Sequence, residues 1–117
     1  MTRNKNKVKH IGKPWGYEEI LETNPKYTVK RLFMKKGHRC SLQYHEKKQE
    51  TIISLRGDLV IILNNREFVL KPGKAITILP FQKHRMFARD GNCLYLECST
   101  SELNDVIRLK DDYGRKK

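Results

Sequence analysis

The chain has 117 residues, a length that suits one compact domain able to fold without disulfides or a structural metal. Its three cysteines have no paired spacing, which argues against a disulfide framework and indicates a reducing compartment. No apolar run approaches the roughly 20 residues needed to span a bilayer, and no apolar segment of a secretory signal follows the basic N-terminus. We therefore expect a cytoplasmic protein with no membrane partner.

The formal net charge is +12, and a surplus of this size attracts anionic partners. Nucleic acid and a phosphorylated metabolite are the two classes of anion to consider. Because the sequence has no helix-turn-helix, zinc-finger or RNA-binding aromatic motif, we expect a phosphorylated metabolite and no nucleic acid. Part of the charge lies in residues 1–12, which we expect to form a flexible basic N-terminus ahead of one domain at residues 13–117.

From Lys13 onward, short β-like runs alternate with turn residues. In chain order, the predicted strands are residues 16–22, 27–36, 51–55, 59–63, 67–70, 75–79, 84–88 and 93–99. Asn64 and Asn65 suit a tight hairpin between two of these strands, since asparagine tolerates positive φ. Residues 101–109, with Ser101 as the N-cap, are the predicted helix. Strands of this length and spacing predict an all-β sandwich or barrel in a single domain.

The residues that carry chemistry begin in the stretch GHRCSLQYHEKKQETIISLRG, which starts at Gly37. Gln43 and His45 are two residues apart, so on a strand both side chains point to the same face. Glu50 lies next to the following predicted strand and can return beside them. His84 begins a later strand and can reach the same interior from the other side of a hairpin. These four side chains can therefore meet in the interior.

Their spacing resembles the two motifs of the cupin family. The first motif runs Gly, five residues, His-x-His, three or four residues, Glu, six residues, Gly; the second runs Gly, five residues, Pro-x-Gly, two residues, His. The match extends from Gly37 to His84 and implies a cupin β-barrel of the jelly-roll, or double-stranded β-helix, type. Gln43 stands where His is typical, and Leu79 and Phe81 stand where the second motif has Pro and Gly.

A narrower resemblance covers almost the whole chain. The segments KPWGYEEIL, CSLQYHEKKQE, HRMFA, LYLE and DVIRLKDDYGR are similar to the cupin domain of type II mannose-6-phosphate isomerases, which is often fused to a mannose-1-phosphate guanylyltransferase. That subgroup has Gln at the place of Gln43, so the resemblance implies that Gln43 is a ligand. The chain departs from the subgroup at Lys47, Lys48 and Thr51, where the subgroup has His, Arg and His.

The resemblance implies one divalent metal ion, held by Gln43, His45, Glu50 and His84. Two imidazoles, one carboxylate and one amide oxygen suit zinc, which we expect first, with manganese, iron and nickel as alternatives. The implied activity is the interconversion of mannose 6-phosphate and fructose 6-phosphate through an enediolate. Because no Gly-rich nucleotide loop is present, we expect the isomerase activity alone.

Such a reaction needs a general base to move a proton between two carbons. Glu97 is the candidate catalytic residue, because it lies in the otherwise apolar strand CLYLEC, where burial can raise its pKa. The alternative for Glu97 is a structural ion pair with a buried arginine.

The reaction also needs cations that hold the phosphate group. The candidates are Lys30, Arg31, Arg39 and Arg85. Lys30 and Arg31 are neighbours on one strand, so only one of them can face inward, and the Lys-Arg pair of the subgroup favours Arg31. Arg85 has the opposite parity to His84, which places it at the rim or outside.

Two other classes of function stay open. The chain could be a non-catalytic cupin that binds a sugar or nucleotide sugar, which Lys47 and Thr51 favour because the isomerases keep His at both places. It could also be a cupin epimerase or oxygenase, although an oxygenase more often has His in place of Gln43. In each case we expect a homodimer, since pairing of edge strands would cover the exposed edges of the sheets.

Overall fold

The computed structural model describes residues 4–102 and 104–115, and within these ranges the chain forms eleven strands and no helix. The strands are β1 (Lys9–Lys13), β2 (Gly16–Thr23), β3 (Thr28–Met34), β4 (Leu42–Tyr44), β5 (Glu50–Arg56), β6 (Leu59–Leu63), β7 (Arg66–Leu70), β8 (Ala75–Ile78), β9 (His84–Phe87), β10 (Cys93–Ser99) and β11 (Ile107–Lys110). The all-β prediction is confirmed. Within the described ranges, no helix is long and apolar enough to cross a membrane.

The strands form two antiparallel sheets with a jelly-roll arrangement. The six-stranded sheet has the order β1-β2-β3-β10-β5-β8, and the five-stranded sheet has the order β11-β4-β9-β6-β7. One core joins the two sheets: Met34 and Ile52 from the first pack in the same buried cluster as Leu59, Ile61 and Met86 from the second. The jelly roll that the sequence implies is present, but as two facing sheets and not as a closed barrel.

Alternation along the strands decides which side chains enter the space between the sheets. On β3, Lys30, Leu32 and Met34 are buried, while the residues between them are partly exposed. On β10, Tyr95 and Glu97 are buried in the same way. The central strands therefore carry apolar side chains inward along part of their length and charged side chains inward along the rest. The charged part becomes the site.

Two predictions about the ends of the chain need correction. The predicted helix at residues 101–109 is absent from its described residues, and Ile107 begins β11, which pairs with β4. Val106 and Arg108 both line the interior cavity, so the segment follows a period of two and not of 3.6. At the N-terminus, β1 starts at Lys9, so residues 9–12 belong to the first sheet, whereas the sequence predicts that residues 1–12 are flexible.

Among the residues that the structure describes, three other than glycine have positive φ, and all three lie in turns. Asn64 and Asn65, at 49° and 67°, form the tight hairpin that the sequence predicts between β6 and β7. Phe81, at 68°, stands where the second cupin motif has glycine. The Phe81 N–H donates to the His45 carbonyl at 2.7 Å, so this turn is fixed against the chain that leaves β4. The backbone thus keeps a glycine-type conformation although the glycine is missing.

Candidate metal centre

His45, Glu50 and His84 form a buried cluster between the two sheets. His45 follows β4, Glu50 begins β5 and His84 begins β9, so three strand ends meet here. Each residue is at most 1% exposed, and one ligand atom from each lies within 4.8 Å of the others. The structure therefore brings these three predicted ligands together.

The atoms that face one another in this cluster are all hydrogen-bond acceptors in need of a partner. His45 Nε2 lies 2.7 Å from Glu50 Oε1, and His84 Nε2 lies 4.0 Å from Glu50 Oε2. Among the residues that the structure describes, none of these four atoms has a partner in hydrogen-bonding geometry. Buried polar atoms are seldom left in this state, so the cluster is incomplete without a further group.

Backbone carbonyls fix the protonation of both imidazoles. His45 Nδ1 contacts the Asp105 carbonyl oxygen, and His84 Nδ1 contacts the Gln82 carbonyl oxygen at 2.8 Å. A carbonyl oxygen only accepts, so in each ring Nδ1 carries a proton, and in the neutral ring Nε2 presents a lone pair. Two lone pairs therefore point toward the Glu50 carboxylate, and a cation is the group that would satisfy all of them.

The pKa shifts of Glu50 and His84 indicate the charge state of each group. Burial alone would raise the pKa of the Glu50 carboxyl, but His45 and the Lys48 ammonium outweigh burial and hold the pKa below its usual range. Burial lowers the pKa of the His84 imidazole, and the negative charge of Glu50 does not offset this. An ionised carboxylate and a neutral imidazole are the forms that bind divalent metals. These residues therefore fit zinc, manganese, iron or nickel.

Gln43 lies next to the cluster, as a fourth ligand would require. It pairs in register with His84 between β4 and β9, and its side chain lines the same cavity as His45. Its Oε1 accepts a hydrogen bond from Ser41 Oγ at 2.6 Å. An amide oxygen has two lone pairs, so this hydrogen bond leaves one lone pair for a metal.

Asp105 anchors the loop of residues 46–48, which leads from His45 to β5. Its carboxylate accepts from the backbone N–H groups of Glu46, Lys47 and Lys48 at 3.1, 2.7 and 2.9 Å. Burial would raise the pKa of Asp105, but these three hydrogen bonds keep it below its usual range. The same residue holds the His45 ring through its carbonyl, so Asp105 positions both the loop and one candidate ligand.

A cavity of about 650 Å³ opens beside the cluster, and His45 and Gln43 belong to its wall. Part of the wall is apolar, with Trp15, Leu32 and Met86. Among the charged side chains of the wall, cations outnumber carboxylates. The cations are Lys9, Lys13, Lys30, Lys48, Arg108 and Arg115, and the carboxylates are Glu18 and Glu97. A volume and charge of this kind suit a small anionic molecule.

Of the two neighbouring cations on β3, Lys30 faces the cavity and Arg31 does not. Lys30 is 8% exposed, and its Nζ lies 3.6 Å from Glu18 Oε1, a second residue of the wall. Arg31 points to the opposite face of the sheet, where its Nε donates to Glu19 Oε1 at 2.8 Å. Strand parity therefore places Lys30 on the inward face and the preferred candidate, Arg31, on the outer face.

Arg39 and Arg85 are likewise outside the group of residues that lines the cavity. Arg39 forms a two-point ion pair with Asp112, with distances of 2.6 and 3.2 Å. Arg85 is buried, but its Nε donates to the Cys40 carbonyl at 3.0 Å, and a terminal nitrogen lies 3.5 Å from Asp112. Both arginines fasten the C-terminal segment to the sheets, so the geometry gives them a structural role.

Glu97 lies on the inward face of β10, lines the cavity and is buried. Burial raises the pKa of its carboxyl, Glu50 raises it further, and the positive charges of Lys48 and Lys30 only partly oppose this. Its ion-pair partner is a lysine and not the buried arginine that the alternative named: Lys48 Nζ lies 3.4 Å from Glu97 Oε2 and 3.7 Å from Glu50 Oε1.

Sequence reasoning missed Lys48, Lys13, Arg108 and Arg115 as residues of the site. Lys48 could have been found, since it stands where the isomerase subgroup has Arg and so keeps a cation there. The other three enter the cavity from β1, β11 and the C-terminal segment, whose positions depend on sheet pairing. Lys47 is exposed, and Thr51 bonds Thr77 on the outer face, so these departures lie outside the cavity.

Comparison with known proteins places the chain in a family. Residues 2–111 match the family model for the C-terminal region of mannose-6-phosphate isomerase. A mannose-1-phosphate guanylyltransferase from Escherichia coli is 31% identical over 113 residues, which cover 92% of this chain and 24% of that protein. The chain thus spans about a quarter of the length of this curated relative.

Solved structures agree on the fold. Pac13, a nucleoside dehydratase from Streptomyces, superposes with a TM-score of 0.80 at 18% identity, covering 94% of this chain and 93% of that chain. A cupin-2 domain from Rhodospirillum rubrum superposes with a TM-score of 0.75 at 14% identity, covering 85% and 73%. At these identities the likeness shows the fold alone. The chain therefore has the cupin fold and belongs to the mannose-6-phosphate isomerase C-terminal family.

Proposed function

We propose that this cupin binds one divalent metal and interconverts mannose 6-phosphate and fructose 6-phosphate. The observation that carries the proposal is the cluster of His45, Glu50 and His84, whose unpartnered acceptors adjoin a cavity lined mainly by cations. His45, Glu50 and His84 would hold the metal, with Gln43 as the fourth ligand and zinc as the expected ion. The bound metal would polarise the carbonyl group of the substrate and stabilise the negative charge that develops on its oxygen.

The cationic side of the cavity supports a phosphorylated substrate. Burial lowers the pKa of the Lys13 ammonium, and the positive charges of Lys30, Arg115 and Arg108 lower it further, although Glu18 opposes them. Positive charges held this close repel one another, and a dianionic phosphate bound among them would offset that repulsion. These four side chains replace Arg31, Arg39 and Arg85 as the proposed phosphate contacts.

Glu97 is the proposed base for the proton transfer. Aldose–ketose interconversion moves a proton from C2 to C1, while another proton passes from the C2 hydroxyl oxygen to the C1 oxygen. The Glu97 carboxylate is buried in the cavity wall, and Lys48 holds it from one side. A carboxylate fixed in this way can take the proton from C2 and return it to C1 without changing its position.

A non-catalytic, metal-free sugar-phosphate-binding domain is the second candidate. One observation favours it: the Lys48 ammonium lies within 4 Å of both the Glu50 and Glu97 carboxylates and so supplies a positive charge of its own. In that case Lys48 would take over part of the electrostatic role of a metal. Metal content and turnover separate the two candidates.

His84→Ala should abolish tight zinc binding, because it removes a ligand whose orientation is fixed by the Gln82 carbonyl. Loss of an outer-shell partner alone costs 10–100-fold in affinity, so we expect zinc to bind at least about 100-fold more weakly. A competition titration with a chromogenic chelator measures this. His10→Ala is the matched control, since His10 is exposed and pairs with Glu19. A wild-type protein that takes up no zinc, manganese, iron or nickel would contradict the metal site.

Glu97→Gln should lower kcat by about 100-fold or more, because the amide cannot accept the proton from C2. Zinc affinity should stay near the wild-type value, since Glu97 is outside the proposed ligand set. A coupled assay of fructose 6-phosphate formation, with each of the four metals in turn, measures the rate. Glu67→Gln is the control, as Glu67 is an exposed residue paired with Arg89. No turnover by the wild type with any metal would sink the isomerase proposal.

Lys30→Met and Arg31→Met form a second matched pair, because they remove one positive charge each from adjacent residues on opposite faces of β3. We expect Lys30→Met to raise the KM for mannose 6-phosphate about tenfold, as expected for a lost charged hydrogen bond. Arg31→Met should leave KM unchanged. A larger effect from Arg31→Met would show that the phosphate binds outside the cavity described above.

A further inference from the structure

The hydroxyl group of Tyr95 is a buried polar group that neither the metal centre nor the proposed catalytic residues use. Tyr95 is fully buried on the inward face of β10, two residues before Glu97, and its side chain lines the same cavity. Within residues 4–102 and 104–115, no atom is placed to form a hydrogen bond with this hydroxyl.

The cross-strand neighbours of Tyr95 do not hydrogen-bond to its hydroxyl. The register places Tyr95 opposite Leu32 on β3 and opposite Ser54 on β5. Leu32 has no polar side-chain atom. Ser54 Oγ donates to the Gly57 carbonyl at 3.1 Å and makes no hydrogen bond with the Tyr95 hydroxyl. Within the described residues the hydroxyl thus has no partner, and a molecule in the cavity would be able to supply one.

Phenylalanine would fill the same space without this cost. A buried hydroxyl with no partner loses its hydrogen bonds to water and gains nothing from the protein, whereas an aromatic ring alone packs well in an apolar core. The apolar side of the cavity, with Trp15, Leu32 and Met86, would suit such a ring. The hydroxyl therefore makes physical sense if it contacts a molecule that enters the cavity.

We propose that the Tyr95 hydroxyl hydrogen-bonds to an oxygen atom of the sugar phosphate, next to the carbon chain on which Glu97 acts. This inference rests on the proposed function, since it takes a sugar phosphate as the occupant of the cavity. Burial raises the pKa of the Tyr95 phenol well above its usual value, so the hydroxyl keeps its proton and can donate. Because Tyr95 and Glu97 share one face of one strand, a donor and an acceptor are presented side by side to the substrate.

Tyr95→Phe removes this hydroxyl and preserves the ring, and Tyr17→Phe is its matched control. Tyr17 lies on β2, stacks on Phe33 with a centroid distance of 5.3 Å and is outside the group that lines the cavity. Calorimetric titration of the zinc-loaded proteins with mannose 6-phosphate measures affinity, and thermal unfolding measures stability. We expect Tyr95→Phe to raise Kd about fivefold, as for one lost hydrogen bond, and to leave Tm equal to or above the wild-type value. Tyr17→Phe should leave Kd unchanged.

An unchanged Kd for Tyr95→Phe would overturn the inference, and a lower Tm with an unchanged Kd would show that the hydroxyl is structural. Wild-type turnover together with an unchanged Kd would overturn the role of Tyr95 and leave the isomerase proposal standing. Binding without turnover, weakened by Tyr95→Phe, would support the role of Tyr95 and contradict the isomerase proposal. Failure of the wild type to bind mannose 6-phosphate would overturn both.

Discussion

Two imidazole lone pairs and a carboxylate are held together out of contact with water, and the rest of the site depends on this arrangement. The backbone carbonyls of Asp105 and Gln82 accept hydrogen bonds from Nδ1 of His45 and His84, so each ring in its neutral form presents a lone pair on Nε2. Acceptors that face one another in a buried space repel unless a cation lies among them. A positive charge among these atoms would therefore stabilise the fold. Lys48 lies 3.7 Å from Glu50 on one side only, whereas a divalent metal would contact the carboxylate and both imidazoles.

The alternation of side chains along the strands made much of this predictable from sequence. Parity on one strand places Gln43 and His45 on one face, and the spacing of the cupin motifs brings Glu50 and His84 to them. The same rule showed that only one of Lys30 and Arg31 could face inward. It could not say which, because that depends on how β3 pairs with β2 and β10, and a register shift of one residue exchanges the two faces.

The C-terminal segment was the least predictable part, although it completes the site. A polar first turn after Ser101 suggested a helix, but Asp105 uses its carboxylate to hold the loop of residues 46–48, and β11 then pairs with β4. These contacts join residues far apart in sequence, which local patterns cannot report. They bring Arg108 and Arg115 to the cavity wall. The departures at Lys47 and Thr51 looked important in sequence, but both lie outside the cavity.

The protonation of the two histidines tests the central claim most directly. The ¹⁵N chemical shifts of the imidazole nitrogens, measured in two-dimensional ¹H–¹⁵N spectra of the labelled protein, distinguish the two tautomers of each ring. Both His45 and His84 should carry the proton on Nδ1, and addition of zinc should move both Nε2 resonances while the exposed His10 stays unchanged. A proton on Nε2 of either ring in the presence of zinc, or Nε2 resonances that do not move, would contradict a metal site at this cluster.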